Sequence, residues 1–239
     1  MKIFAYIGSY RNKNSYTNFF VRRLINELSL VYSVKENDIY ICMPNELKIN
    51  DCIGCSKCFF EGKCSILDDM SIVKNKLIES DLIIFASPVY VHQITGCFKT
   101  FIDRIGYWTH TMKLTGKIGV SVALSDSNGN EFVTEYISKV MQYLGISVIS
   151  QIEVKVQGIS QSALESIIRY ESNKIKKAID KKNFPITPLQ ELYYQKQRSS
   201  VLSDDNDIGD FEKKLLRSEN IKEYRYFIEY FASKMKDSN

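Results

Sequence analysis

The chain has 239 residues, a formal net charge of +4 and 44% hydrophobic residues, enough apolar material for one large core, with or without an appendage. Lys and Arg are scattered among acids with no basic stripe, which argues against nucleic acid as a partner. No apolar run approaches the roughly 20 residues that cross a bilayer, and MKIFAYIGSY turns polar too early for a secretory leader, so the expectation is a cytoplasmic protein with no membrane partner.

In chain order, KIFAYIG (2–8) reads as a buried strand ending at Gly8. A polar loop follows, then a helix over 16–30 with Phe19, Phe20, Leu24 and Leu28 on one face. DIYICM (38–43) is a second strand, followed by a cysteine loop over 48–66. Residues 68–80 open with two acids and carry Met70, Val73 and Leu77 at helical spacing. DLIIFASPVY (81–90) is the clearest buried strand and stops at Pro88, which cannot donate to a ladder. A helix (94–108), a strand (116–125), a helix (129–145), a strand (146–156) and a helix (162–179) complete the pattern. Five strands alternating with five helices predict a doubly wound α/β fold, a five-stranded parallel sheet with helices on both faces. Residues 1–183 form this domain; 184–239 read as a helical C-terminal appendage whose aromatic residues need a surface to pack on.

In such sheets ligands sit beyond the strand carboxyl ends. GSYRNKNSYT (8–17) offers Ser9, Arg11, Ser15 and Thr17 beside the bare amides of a helix start, which suits a phosphate or simply a capped polar loop. SPVY (87–90) offers amides and a flat aromatic to a planar heterocycle, and ALSDSNGNE (123–131) a polar loop able to close over it. His92 stands in the same region and reads equally as a ring or substrate contact and as a plain loop histidine. Asp103 and Arg104 read as a helix ion pair, and DDNDIGD (204–210) as a solvated acidic turn, because Ile208 and Leu215 occupy positions a calcium loop would give to oxygen ligands.

DCIGCSKCFFEGKC (51–64) places Cys52, Cys55, Cys58 and Cys64 within thirteen positions. Thiolates three apart on a tight loop can reach neighbouring corners of a cubane cluster, with Gly54 and Gly62 permitting the bends. A zinc site, a disulfide formed on oxidation, or thiols without metal remain the other readings. Cys42 and Cys97 read as core.

G-S-x-R-x-x-x-S-x-T after the first strand, with S-P-V-Y and K-x-x-I/F-D-R after the third, resembles the flavodoxin-like NADPH-dependent FMN reductase family over roughly residues 1–180. The first loop carries one residue more between Arg11 and Ser15 than the commoner pattern. The resemblance implies that Ser9, Arg11, Ser15, Tyr16 and Thr17 surround the FMN phosphate. Pro88, Val89 and Tyr90 would meet the ring edge, with His92, Ser125 and Gly129 in the bracketing loops. C-x-G-C-x-x-C-x-x-x-G-x-C-x-x-x-D-D-M is similar to the iron-sulfur flavoproteins, a branch of that family, which implies a [4Fe–4S] cluster on the four loop cysteines. The implied activity is electron transfer between a reduced carrier (NAD(P)H or ferredoxin) and an acceptor such as a quinone, in a homodimer or homotetramer. The alternatives are an NAD(P)H:FMN or quinone reductase without a cluster, and a non-enzymatic flavin carrier or redox sensor. No side chain stands out as a catalytic acid or base.

Overall fold

A computed structural model describes residues 1–182 and 184–202. Its five parallel strands are β1 (Ile3–Ile7), β2 (Ile39–Cys42), β3 (Leu82–Pro88), β4 (Ile118–Ser125) and β5 (Ser147–Lys155), in the order β2-β1-β3-β4-β5. This is the flavodoxin-like doubly wound order, with its switch point between β1 and β3. The helices among the described residues are α1 (Tyr16–Tyr32), α2 (Lys57–Glu61), α3 (Met70–Glu79), α4 (Gly96–Ile105), α5 (Asn130–Tyr143), α6 (Gln161–Asp180) and α7 (Pro188–Leu202).

Side chains of a strand alternate between faces, and β1 shows the consequence. Ile3, Ala5 and Ile7 join α1 and α6 in one apolar layer; Phe4 and Tyr6 join α3, α4 and α5 in the other. Both layers are buried, so β1 and β3 need apolar residues at nearly every position, which is why they read as continuous runs. Each fully buried Ile, Leu or Phe contributes about 1.5–3 kcal/mol. The second layer is built on rings: Tyr6 stacks on Phe101 at 4.0 Å between centroids, and Phe85 meets Phe101 edge-on at 5.4 Å. These contacts fix α4 against the sheet.

The expected core helices are all present, with ends shifted by a few residues. The helix expected over 94–108 is α4 to Ile105, followed by a 3-10 turn over Gly106–Thr109. The two acids expected inside the first turn of α3 precede it, Asp69 as its N-cap. α2, inside the cysteine loop, is only five residues long and has no periodicity to read. The start of the appendage packs on the main domain. Gln190 Nε2 donates to the Ile146 carbonyl (3.1 Å), the Tyr143 and Tyr193 rings lie 4.5 Å apart, and Tyr194 is buried. The acidic turn 204–210 and the aromatic residues beyond it lie outside the described residues. Among the described residues no helix is long and apolar enough to cross a membrane.

Candidate functional site

The carboxyl ends of β1, β3 and β4 open onto one hollow of about 110 Å³. It is lined by Ser9, Arg11, Ser15, Tyr16, Thr17, Pro88, Val89, Tyr90 and Ser125, nine positions singled out from the sequence, together with Leu124, Asp126 and Val156. The volume is on the scale of a phosphate group rather than of a whole cofactor, so a larger molecule bound here would extend over the surface.

The local folding of the first loop explains its chemistry. Asn12–Asn14 form a 3-10 turn that takes up the extra residue before Ser15. Ser15 then caps α1: its Oγ accepts the Asn18 amide at 3.2 Å, leaving the hydroxyl proton free to donate. The Tyr16 and Thr17 amides are first-turn donors with no acceptor among the described residues. Two bare amides, the positive end of a 17-residue helix and the exposed Arg11 guanidinium converge as an anion requires.

A second observation points the same way. Ser125 Oγ is buried in the wall of the hollow and has no hydrogen-bond partner among the described residues; the side-chain amide of Asn130, at the start of α5, is buried with neither atom paired among them. Buried polar atoms are normally satisfied, so such orphans suit a polar ligand. Gly129 (φ +82) and His92 (φ +59) stand outside the hollow at its rim, in contact with one another and with Val89. A Cβ on Gly129 would come within 3.1 Å of Val89 Cγ1 and 3.3 Å of His92 Cα. Val91 also adopts a left-handed backbone (φ +50), unusual for a β-branched residue, and the His92 ring stacks on Phe132 at 5.5 Å. Tyr16, Tyr90 and Phe132 leave flat apolar surface exposed around the mouth. These groups fit a phosphorylated planar cofactor such as FMN.

The cysteine loop leaves β2 and returns before α3, and it is closed at its base. The Lys48 amide donates to Asp69 Oδ2 at 2.7 Å and the Asn50 amide to Asp68 Oδ2 at 2.9 Å. Above these bonds Arg104 takes the Asp68 carboxylate in a fork, Nη1–Oδ2 2.6 Å and Nη2–Oδ1 3.0 Å, and donates further to the Asn50 carbonyl (2.6 Å) and to Cys64 Sγ (3.6 Å). Both charged side chains are 1% exposed. Burial pushes the Asp68 pKa up, but the guanidinium and the Asn50 and Met70 amides more than offset it, so its carboxyl titrates below the ordinary range. Arg104 therefore does not pair with Asp103, which faces Lys99 one helical turn away.

The four loop thiols are in the free form. Cys55 is exposed and its Sγ lies 3.4 Å from Ser65 Oγ, a contact that lowers its pKa; burial raises that of Cys58, with the neighbouring Cys64 sulfur adding to it. Among the described residues no three His, Cys, Asp or Glu side chains gather around a single ion position. A cubane places a different iron at each thiolate, and its sulfurs accept hydrogen bonds. The donor set of four thiols fits that chemistry. So does Arg104, whose Nε is buried without a partner among the described residues, in the same guanidinium that reaches Cys64. Cys42 is buried as expected, whereas Cys97 is only half-buried, its Sγ 3.1 Å from Thr95 Oγ1. His110 packs its ring 4.9 Å from Phe59 of the cysteine loop.

One helix serves both regions. Thr95, the N-cap of α4, donates to the Gly8 carbonyl at the hollow, while Thr100 donates to Asp51 (2.7 Å) and Arg104 holds Asp68 at the cysteine loop. Sequence reading missed Thr95, Arg104 as a clasp and Asn130. Only the loop after β4, ALSDSNGNE, gave any signal for Asp126 and Asn130, as a polar run between strand and helix.

The strand order and the ligand edge at the β1–β3 switch define a flavodoxin-like protein. Flavodoxin 1 from Bacillus cereus superposes with a TM-score of 0.50 at 15% identity, covering 74% of this chain and 98% of that one. Residues 1–161 match the NADPH-dependent FMN reductase family, and the chain belongs to it. An iron-sulfur flavoprotein of Archaeoglobus fulgidus is 42% identical over 100 residues, 41% of this chain and 46% of the relative. An iron-sulfur flavoprotein of Methanocaldococcus jannaschii is 33% identical over 135 residues, 56% of this chain and 67% of the relative. These relatives put the chain in the iron-sulfur flavoprotein branch of the family; the match spans about half the length of the Archaeoglobus protein and two thirds of the Methanocaldococcus one.

Proposed function

We propose that this protein is an FMN-dependent oxidoreductase that passes electrons between a reduced carrier, NAD(P)H or ferredoxin, and an acceptor such as a quinone. We further propose that Cys52, Cys55, Cys58 and Cys64 hold a [4Fe–4S] cluster. The observation that carries the flavin reading is the convergence, in one hollow, of Arg11, two bare α1 amides and the orphaned Ser125 Oγ. The family match and the relatives' names support the same reading.

Bound FMN would supply hydride acceptance and one-electron release, and the cluster one-electron transfer. The chain's own residues would do the rest. Ser9, Arg11, Ser15 and the Tyr16 and Thr17 amides bind and orient the phosphate. Pro88, Val89 and Tyr90 form the ledge for the ring edge, with Ser125, Gly129 and His92 on the facing loop and rim. Val89 packed against Gly129 keeps the two loops at a fixed separation. Hydride passage to the ring needs no protein acid or base, so no catalytic residue is assigned. The exposed Tyr16, Tyr90 and Phe132 support burial of the ring edge by a second subunit, in a homodimer or homotetramer.

Anaerobic purification tests this directly. The expected protein carries about one FMN, four iron and four sulfide per chain and oxidises NADPH or reduced ferredoxin when an acceptor is present. FMN without iron leaves a reductase with a metal-free loop; zinc in place of iron overturns the cluster; FMN and iron with no turnover leave a carrier. Absence of FMN overturns the whole reading.

A further inference from the structure

Lys74 lies on α3 with 9% of its surface exposed, its Nζ 4.9 Å from the Tyr107 ring centroid and 5.9 Å from that of Trp108. Among the described residues its ammonium makes no salt bridge and no hydrogen bond, and it lies over the two rings. A buried cation is normally matched by an anion. Burial holds its pKa below the ordinary lysine value; the Cys64 sulfur opposes this, Arg104 adds to it, and the Cys58 sulfur and the Asp68 carboxylate oppose it, Asp68 being already taken in a fork by Arg104. Lys74 and Cys64 line one hollow of about 490 Å³, together with Asp68, Arg104, Lys63 and Lys113, so the ammonium and the Cys64 sulfur share one space.

We propose that Lys74, a half-enclosed cation beside the cysteine loop, holds the reduction potential of a cluster bound there above the value the thiolates alone would give. This rests on the cluster reading above. Four thiolates make such a cluster anionic, and adding an electron makes it more so. A fixed positive charge beside it therefore favours the reduced form, net charge and hydrogen bonds to sulfur being the levers that set these potentials. Arg104 contributes differently: Asp68 cancels most of its charge, and its fork fixes the loop. Lys74 is thus a positioning charge, acting through the sulfurs of Cys58 and Cys64.

The experiment is an anaerobic redox titration of the full chain after iron and sulfide loading, followed by visible absorption and by the spin signal of the reduced cluster. Wild type, Lys74→Met and Lys74→Arg are compared, with iron content measured first. Met keeps the aliphatic stem between the rings, so Lys74→Met is expected to fold, to hold wild-type iron and to titrate at a more negative potential. Lys74→Arg is expected to keep the wild-type value. An unchanged potential in Lys74→Met overturns the proposal, as does an equal shift in both variants, which would point to packing. A folded Lys74→Met that takes up no iron also overturns it, because the lysine would then serve assembly. Wild-type protein that binds no iron removes the cluster reading itself, and this proposal with it, before any titration is run.

Discussion

Thr95 Oγ1 donates to the Gly8 carbonyl at 2.8 Å and, as the N-cap of α4, accepts the Phe98 amide at 3.4 Å. One hydroxyl thus joins the loop after β1 to the start of the helix after β3. Thr95→Val keeps the shape, removes the cap and strands a buried carbonyl, which together cost about 2–3 kcal/mol. Gly8→Ala attacks the same contact, since its Cβ would come 2.8 Å from Phe98 Cβ and 2.9 Å from Thr95 Oγ1. Overpacking of this kind costs about 1–3 kcal/mol. Urea midpoints of the two variants check both figures, and a wild-type midpoint in either would count against the contact.

Arg11 is exposed and its guanidinium makes no ion pair among the described residues, so the apo-protein does not depend on it. Arg11→Met is expected to leave apo Tm unchanged and to raise the FMN Kd by about 10–100-fold, the equivalent of one charge-assisted hydrogen bond. Fluorescence titration of apo-protein with FMN, then with riboflavin, measures this. The loss should vanish for riboflavin, which lacks the phosphate.

Ser125 separates binding from folding in another way. Its Oγ is buried and unpaired among the described residues, so Ser125→Ala removes a desolvated group with no partner there in the apo state. Apo Tm is expected to hold or rise slightly, while FMN affinity falls by about 2–10-fold for a lost neutral hydrogen bond. Unchanged affinity would mean that the hydroxyl serves no ligand.

Acid should open the cysteine loop. The Asp68 carboxyl titrates below its ordinary value of 3.8, so its proton is bound more tightly in the unfolded chain than in the folded one. The stability it contributes is therefore fully present above that value and is lost as pH falls through the depressed one. Asp68→Asn should flatten this acid limb and, by leaving Arg104 buried without its anion, cost about 3–5 kcal/mol at neutral pH. Thermal melts of both proteins across the acid range give the comparison; parallel pH curves would remove Asp68 from the explanation.

The sheet and the first loop were legible because their signals are local. KIFAYIG and DLIIFASPVY are apolar at nearly every position because both faces of β1 and β3 are covered, and GSYRNKNSYT combines a cap with polar groups at a known edge. The cysteine loop was legible as a donor set but not in its fastening. Adjacent Asp103 and Arg104 invite pairing on paper, yet successive helix residues point apart, and the partner of Arg104 lies 36 residues back at Asp68. Lys74 falls among the polar positions of a short amphipathic stretch, with no signal of its own. Tyr107 and Trp108, from a distant 3-10 turn, pack against it. Side-chain burial set by long-range partners leaves no local periodicity to detect.

The dual anchoring of α4 has a consequence for helical phase. Thr95, Thr100 and Arg104 reach three separate targets from a single α-helical barrel and its cap. Each residue advances an α-helix by about 1.5 Å and about 100°. Deleting one residue between Thr95 and Arg104 would leave the hollow's end of the helix seated and swing the guanidinium away from Asp68. Substitutions on the exposed face of α4 are therefore cheap, while its length is fixed to the residue.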